Sequence, residues 1–494
     1  MKIRFLTISG AALFLLAVSI SVFSQTLLIR NAIVYDGIST VAKRVDVRVN
    51  DNRISAIGKL KPKKGEDVID ATGLVLSPGF IDIHNHSESG LPEEGTAANQ
   101  VSQGITTLFV GPDGSSPDSI AEYLTNLNGK VAVNVGAFIG HGTLREQVLK
   151  DDLARTATEE EIAKMSVLLE KAMKEGAFGL SSGLEYDSGY SATTDELIAL
   201  SKVAAKYNGI YMTHMRDEEE GLLDSIREAL RISREARIPL QISHIKAGNR
   251  NVWGKSTEAI ALVNEARKSG LNVLADAYPY TAWASTITVL VPSRKHDDLE
   301  EVTKGISNVG GADKVLITNC SAHKDYEGKT LQEIADISDR TPEDVYMQIV
   351  KDGGASVVCN SMNEDDLKNF YLQSWVMVSS DGGIGSRHPR GTGTFTRVLG
   401  RFVREKQWLS LGDAIRKMTS LPAQRLGLKD RGIIRKGAKA DLVLFDKDKV
   451  IDNATFTEPQ LHSTGIDKVW VNGKVVFSDN KATGNLPGEI LKKN

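Results

Sequence analysis

Cysteine is nearly absent: Cys320 and Cys359 are the only two among 494 residues. Two thiols cannot build a disulfide framework or a Cys-rich zinc site, so any bound metal must be held mainly by His and carboxylate side chains. A surplus of positive charge is also missing. Sixty Lys plus Arg stand against 63 Asp plus Glu, a formal charge of −3, whereas a surface that tracks phosphates needs a basic excess. No nucleic-acid partner is expected. Long apolar runs are confined to the start of the chain. There Lys2 and Arg4 precede an almost wholly apolar or small stretch from Phe5 to Phe23, and Val22-Phe23-Ser24 before Gln25 resembles a cleavage site. The expectation is a signal peptide over residues 1–24 and a periplasmic or secreted protein, with no stable membrane insertion after cleavage. An uncleaved anchor is the alternative, since the run approaches the length that spans a bilayer.

What remains has the composition of an ordinary globular chain, with 41% apolar residues and 44 glycines. Short apolar runs separated by turn residues open it: Leu27-Leu28-Ile29, Ala32 to Tyr35, Val45 to Val49 and Ile54 to Ile57, with Asp36-Gly37 and Asn50-Asp51-Asn52 at the breaks. The same texture returns in Ala440 to Phe445 and in Val469 to Phe477, where Asn472-Gly473 marks a hairpin turn. Neither group makes a comfortable domain alone, so residues 25–77 and 425–494 are expected to form one composite β-unit. Between 78 and 424 buried-looking strands alternate with amphipathic helices. The strands are Thr106–Val110, Val131–Val135, Gly209–Thr213, Leu240–Ser243, Val273–Asp276 and Val376–Ser380, and the helices include 159–174, 194–206 and 257–268. Such alternation implies a parallel sheet, and its length suits a closed α/β barrel, whose chemistry sits just beyond the C-terminal ends of the strands.

Polar residues gather at those ends. Phe80 to His86 closes a strand with His84 and His86 two positions apart, and residues i and i+2 of a strand share a face. His214 follows Ile210 to Thr213, His244 follows Leu240 to Ser243, and Asp381 follows Val376 to Ser380. Four of nine histidines ending strands in this way point to a cation site rather than to packing. Imidazoles with carboxylates suit Zn²⁺, as one or two divalent ions.

Pro78-Gly79-Phe80-Ile81-Asp82-Ile83-His84-Asn85-His86, Thr213-His214, Ser243-His244-Ile245-Lys246 and Ser379-Ser380-Asp381-Gly382 resemble the amidohydrolase superfamily, specifically its D-aminoacylase (N-acyl-D-amino-acid deacylase) branch. His388 to Gly400 and the Lys-Gly-x-x-Ala-Asp-Leu-Val core within 432–445 resemble the same branch. The resemblance implies a (β/α)₈ TIM-type barrel over 78–424 with a small β-sandwich built from both termini. It also implies metal-dependent hydrolysis of a linear amide in a small N-acyl amino acid, with Asp381 carrying the proton. The chain departs from the family pattern at Val110-Gly111-Pro112-Asp113-Gly114, where the best-known D-aminoacylases carry a cysteine ligand and this sequence has Asp113. Related amidohydrolases bridge two metals with a carboxylate after the fourth strand, which here points to Glu185. Glu185 is therefore expected as the bridge, with Asp113 a ligand or a group that orients one. Lys246 and Arg390 are candidates for holding the substrate α-carboxylate, Tyr186, Tyr190 and Tyr278 for pocket walls or hydroxyl donors, and His141 for a pocket-lining residue. The alternatives are a cyclic amidohydrolase or isoaspartyl-type dipeptidase of the same superfamily and, from another class, an inactive metal-containing small-molecule binding protein.

Overall fold

A computed structural model describes residues 26–493. The expected signal peptide lies outside the described residues. Among them, no helix is long and apolar enough to cross a membrane.

Eight parallel strands form the centre, β1 (Phe80–Asp82), β2 (Ile105–Val110), β3 (Asn134–Ala137, continued by Ile139–Gly140), β4 (Gly179–Gly183), β5 (Ile210–His214), β6 (Leu240–Ile242), β7 (Val273–Ala277) and β8 (Val376–Val378). Their residues are buried throughout, as strands covered on both faces must be. β3 starts at Asn134 rather than Val131, because the preceding backbone is already engaged: Ala132 N–H donates to Gly95 and Val131 C=O accepts from Gly488 N–H. The ring closes between β1 and β8. There Asp381 N–H donates to His84 C=O at 3.0 Å and His86 N–H to Gly382 C=O at 2.7 Å. Asp82 reinforces this seam, accepting from Ser380 N–H (3.0 Å), Ser380 Oγ (2.5 Å) and Asn85 Nδ2 (2.9 Å). Helices cover the outside. The helix Glu159–Glu175 is set by a Thr158–Glu161 capping box and stopped at Gly176, whose φ of 113° suits only glycine.

The two ends of the chain form a sandwich. One sheet has four strands from 26–70, and the other seven mixes both termini, with Leu442–Phe445 antiparallel to Val75–Pro78. Ile29, Val47, Leu76, Leu442, Leu444 and Trp470 share the buried core between them. The hairpin turn has the positive φ angles of its type, 48° at Asn472 and 77° at Gly473.

Between β7 and β8 the strand–helix alternation is interrupted. Trp283–Thr286, Val315–Asn319 and Ser356–Cys359 form a separate antiparallel sheet, with a core that includes Ile287, Val302, Leu331, Val345 and Ile349. This excursion was not anticipated from the sequence, since its helices read like those of the barrel.

A buried polar network ties the barrel floor to the sandwich and the C-terminal tail. Asn134 Nδ2 donates to Asp441 Oδ2 (3.2 Å), Asn472 Nδ2 donates to Asn134 Oδ1 (2.8 Å), and Asn472 N–H donates to Asp441 Oδ1 (2.7 Å). Arg431 also pairs with Asp441, both nearly fully buried. Asp441→Ala would leave Arg431 with Glu489 as its remaining carboxylate and Asn472 N–H without its acceptor, so the loss should be about 1–3 kcal/mol, read as a lower urea midpoint. A midpoint equal to wild type would show that this network does not hold the two units together.

Candidate metal centre and active site

The side chains of interest hang from the C-terminal ends of the barrel strands, where the chain turns sharply. Asp113, His244 and Asp381 have φ of 54°, 30° and 48°. Non-glycine residues adopt this left-handed region at a cost of about 1–3 kcal/mol each, tolerated where the surroundings over-determine it and side chains must be re-aimed.

Their convergence is tight. Asp113 Oδ2 lies 3.0 Å from His84 Nε2, 3.3 Å from His86 Nε2 and 3.4 Å from His244 Nε2. Asp381 Oδ1 lies 3.4 Å from His84 Nε2 and 3.2 Å from His86 Nε2. His214 Nδ1 stands 2.9 Å from His244 Nε2. His84, Asp113, His244 and Asp381 present ligand atoms within 4.8 Å of one another, as do His214, Glu218 and His244. Tetrahedral Zn²⁺ with bonds of about 2.0–2.2 Å needs ligand atoms about 3.4 Å apart. The donor set fits such an ion, and Asp113 Oδ1 is buried without a hydrogen-bond partner, a lone pair still to be satisfied.

Charge points the same way. Burial alone would lower the His86 and His244 pKa values, yet the surrounding carboxylates outweigh it and lift them to about 10 and about 9. His84 is raised likewise by Asp113 and Asp381. Burial would raise Asp113 and Asp381, but the imidazoles, and for Asp381 the Arg390 guanidinium first, hold both well below the usual range. The cluster is a field that demands positive charge.

Each of three imidazoles has a carboxylate behind it. Asp276 Oδ1 is 3.4 Å from His84 Nδ1, Glu218 Oε1 is 3.0 Å from His244 Nδ1, and Glu185 Oε2 is 2.6 Å from His214 Nε2. Glu185, expected as the bridge, therefore touches His214 alone among the imidazoles, while Asp113 occupies the shared position. Beside the cluster, Lys246 Nζ pairs with Glu218 and lies 2.7 Å from His244 Nδ1. Arg390 Nη1 is 2.7 Å from Asp381 Oδ2 and its guanidinium lies 4.7 Å above the Tyr278 ring. Arg390 Nε is buried with no partner.

All of these groups except His84 and Asp276, which lie behind the surface, line one cavity of about 210 Å³ together with Tyr186, Glu219, Trp283 and Val289. Tyr186 Oη reaches His214 Nδ1 at 3.2 Å. Tyr190 is outside it, exposed beneath Arg294 and lining an adjoining cavity of about 400 Å³. His141 does not line the pocket: it is fully buried, with Nε2 2.8 Å from Glu196 Oε1, and Glu196 is clamped in turn by Arg145. Its strand-end position therefore serves packing. Sequence reasoning missed Asp276, Glu218, Glu219 and His388. Glu218 and Glu219 sit in an acidic run that reads as solvated, whereas Asp276 within the apolar strand Val273–Ala277 was a usable signal. His388 accepts from Arg390 N–H at 2.9 Å and donates to Ala282 C=O at 3.1 Å, and burial beside Arg390 holds it neutral.

Comparison with known proteins agrees with this architecture. The amidohydrolase family model matches residues 67–310 and 375–477. The chain is 35% identical to a D-aminoacylase of Alcaligenes xylosoxydans xylosoxydans, over 94% of this chain and 97% of that one. It is also 35% identical to an N-acyl-D-aspartate deacylase of the same organism, over 94% of each. The crystal structure of N-acyl-D-glutamate deacylase from Bordetella bronchiseptica, complexed with zinc and a phosphonate mimic of the tetrahedral intermediate, superposes with a TM-score of 0.87 at 32% identity. That match covers 95% of this chain and 99% of that one. The chain belongs to the amidohydrolase family, in its D-aminoacylase branch.

Proposed function

We propose that the protein is a zinc-dependent deacylase that hydrolyses N-acyl-D-amino acids to a carboxylate and a free D-amino acid. The observation that carries this reading is a single cavity with the His and Asp cluster on one side and Lys246, Arg390 and Tyr278 on the other. An amide carbonyl and an α-carboxylate can thus be held at once. His84, His86, His214, His244, Asp113 and Asp381 would hold one or two divalent ions, with Asp113 as the bridging carboxylate. When bound, such an ion supplies Lewis acidity to the attacking water and the amide carbonyl. Arg390 Nε and the Lys246 ammonium take the substrate carboxylate, and the Tyr278 ring fixes the guanidinium from below. Asp381 accepts the proton of the attacking water and returns it to the departing nitrogen. Glu185, Glu218 and Asp276 fix the orientation of their imidazoles. The basic, apolar and small-residue order of 1–24 supports export, so the site would operate outside the cytoplasm.

Release of free amine from a panel of N-acetyl-D- and L-amino acids tests the reading. The D-series should be hydrolysed, and activity restricted to cyclic ureides or β-linked dipeptides would replace it with one of the rival activities. Asp381→Asn should lower kcat by about 10²–10⁴-fold, and hydrolysis that survives it would remove the assigned proton carrier. Elemental analysis separates the two candidate bridges. Asp113→Ala should lose bound metal outright, while Glu185→Gln should keep it with affinity weakened about 10–100-fold; the reverse pattern would return the bridge to Glu185.

A further inference from the structure

We infer that His388 is a positioning residue of the active site: its imidazole, strung between the Arg390 amide and the Ala282 carbonyl, holds Arg390 where the substrate α-carboxylate is bound. This rests on the deacylase reading, which gives Arg390 its role.

Arg390 opens the helix Arg390–Arg397, and the first N–H groups of a helix have no partner within it. Pro389 stands at the N-cap and has no side-chain acceptor to offer. His388 supplies one from the position before. Its Nδ1 accepts from Arg390 N–H at 2.9 Å, and its Nε2 lies 3.1 Å from Ala282 C=O. An amide hydrogen on one side and a carbonyl on the other fit one arrangement of the ring, a lone pair on Nδ1 and a proton on Nε2. Ala282 directly precedes Trp283, which lines the cavity. The imidazole therefore ties the backbone of the arginine to the start of the excursion between β7 and β8.

The ring is gripped on its faces as well. Tyr280 and Phe456 meet it edge to face, with centroids 5.3 and 5.2 Å away, and Tyr280 Oη donates to Pro389 C=O at 3.3 Å. Phe456 comes from the C-terminal segment, which is fastened to the same loop by a hydrogen bond from Gln460 Nε2 to Ser386 C=O. His388 itself is 2% exposed and does not line the cavity that holds the His and Asp cluster. It acts on the substrate through Arg390. That side chain has few anchors of its own, since Nη1 meets Asp381 Oδ2 while Nε is buried without a partner. A shift of the backbone at Arg390 would carry the unpartnered donor away from the carboxylate it is to bind.

The test measures kcat and KM for N-acetyl-D-leucine in the zinc-loaded wild type, His388→Phe, His388→Asn, Arg390→Met and the double variant of His388→Phe with Arg390→Met. Phenylalanine keeps a ring and loses both hydrogen bonds, so kcat/KM should fall about 100-fold, carried by KM. Asparagine returns an acceptor near the place of Nδ1 and should recover about tenfold of that loss. In the double variant the penalty of His388→Phe should vanish, because a residue that acts through Arg390 has nothing left to position. Wild-type kinetics in His388→Phe, a fall carried by kcat with KM unchanged, or penalties that add in the double variant overturns the inference and leaves the deacylase reading standing. Should the phenylalanine variant not fold, His388→Asn is compared with His388→Gln, which keeps a donor for Ala282 alone. The asparagine variant should then have the lower KM, and equal values overturn the inference. A wild type that releases amine from no N-acetyl-D-amino acid overturns both readings.

Discussion

One carboxylate oxygen, Asp113 Oδ2, sits within 3.4 Å of three imidazole nitrogens, and the rest of the structure can be read as what is needed to keep it there. Imidazoles and carboxylates packed this closely, most of them buried, demand a positive charge among the anions, whether protons or metal. The barrel supplies the means. His84 and His86 leave β1, Asp381 leaves β8, and the seam between those two strands is stitched by backbone hydrogen bonds and by buried Asp82. Opening the ring at that seam would separate His84 and His86 from Asp381. The left-handed turns at Asp113, His244 and Asp381 are local costs carried by the closed barrel, which leaves those residues no easier way to face inward.

Behind the cluster runs a layer of carboxylates whose effect is directional. An imidazole has two nitrogens, and a carboxylate on one fixes which of them faces the centre. Asp276 is the most constrained, since it also accepts from His244 N–H at 2.9 Å and Ser379 Oγ at 2.6 Å and so couples β6, β7 and β8 to the His84 ring. Glu218 spans a different junction. One oxygen meets His244 and the other Lys246, so the imidazole cluster and the ammonium beside it share one carboxylate.

The fold and the first layer of the site were legible because they obey local rules. Alternation of buried strands with helices, and His or Asp just past a strand, are readable one element at a time. What was hidden depends on three-dimensional neighbours. Asp113 looks like a turn residue before Gly114, and only the approach of β1 and β6 to β2 makes it the shared anion. Glu185 was legible from its position after β4, while the partner its side chain takes, His214 Nε2, was not. His141 was expected at the pocket from its strand-end position, but its partner, Glu196, lies on a helix 55 residues away. The sheet between β7 and β8 went unseen because its helices share the barrel's pattern and its strands are short.

The near absence of cysteine acquires its meaning at Asp113. A thiolate offers one soft donor atom, whereas a carboxylate offers two hard oxygens. Here Oδ2 is crowded by three imidazoles and Oδ1 is buried and unpartnered. The carboxylate therefore still has an oxygen to offer when the other is occupied, and its negative charge is spread over both. That placement favours borderline ions such as Zn²⁺ over softer ones, and it removes from the centre the one kind of ligand that oxidation destroys. The two thiols that remain, Cys320 and Cys359, are buried in the excursion between β7 and β8. The chemistry of the centre thus rests wholly on nitrogen and oxygen donors, whose charges the surrounding barrel has to balance.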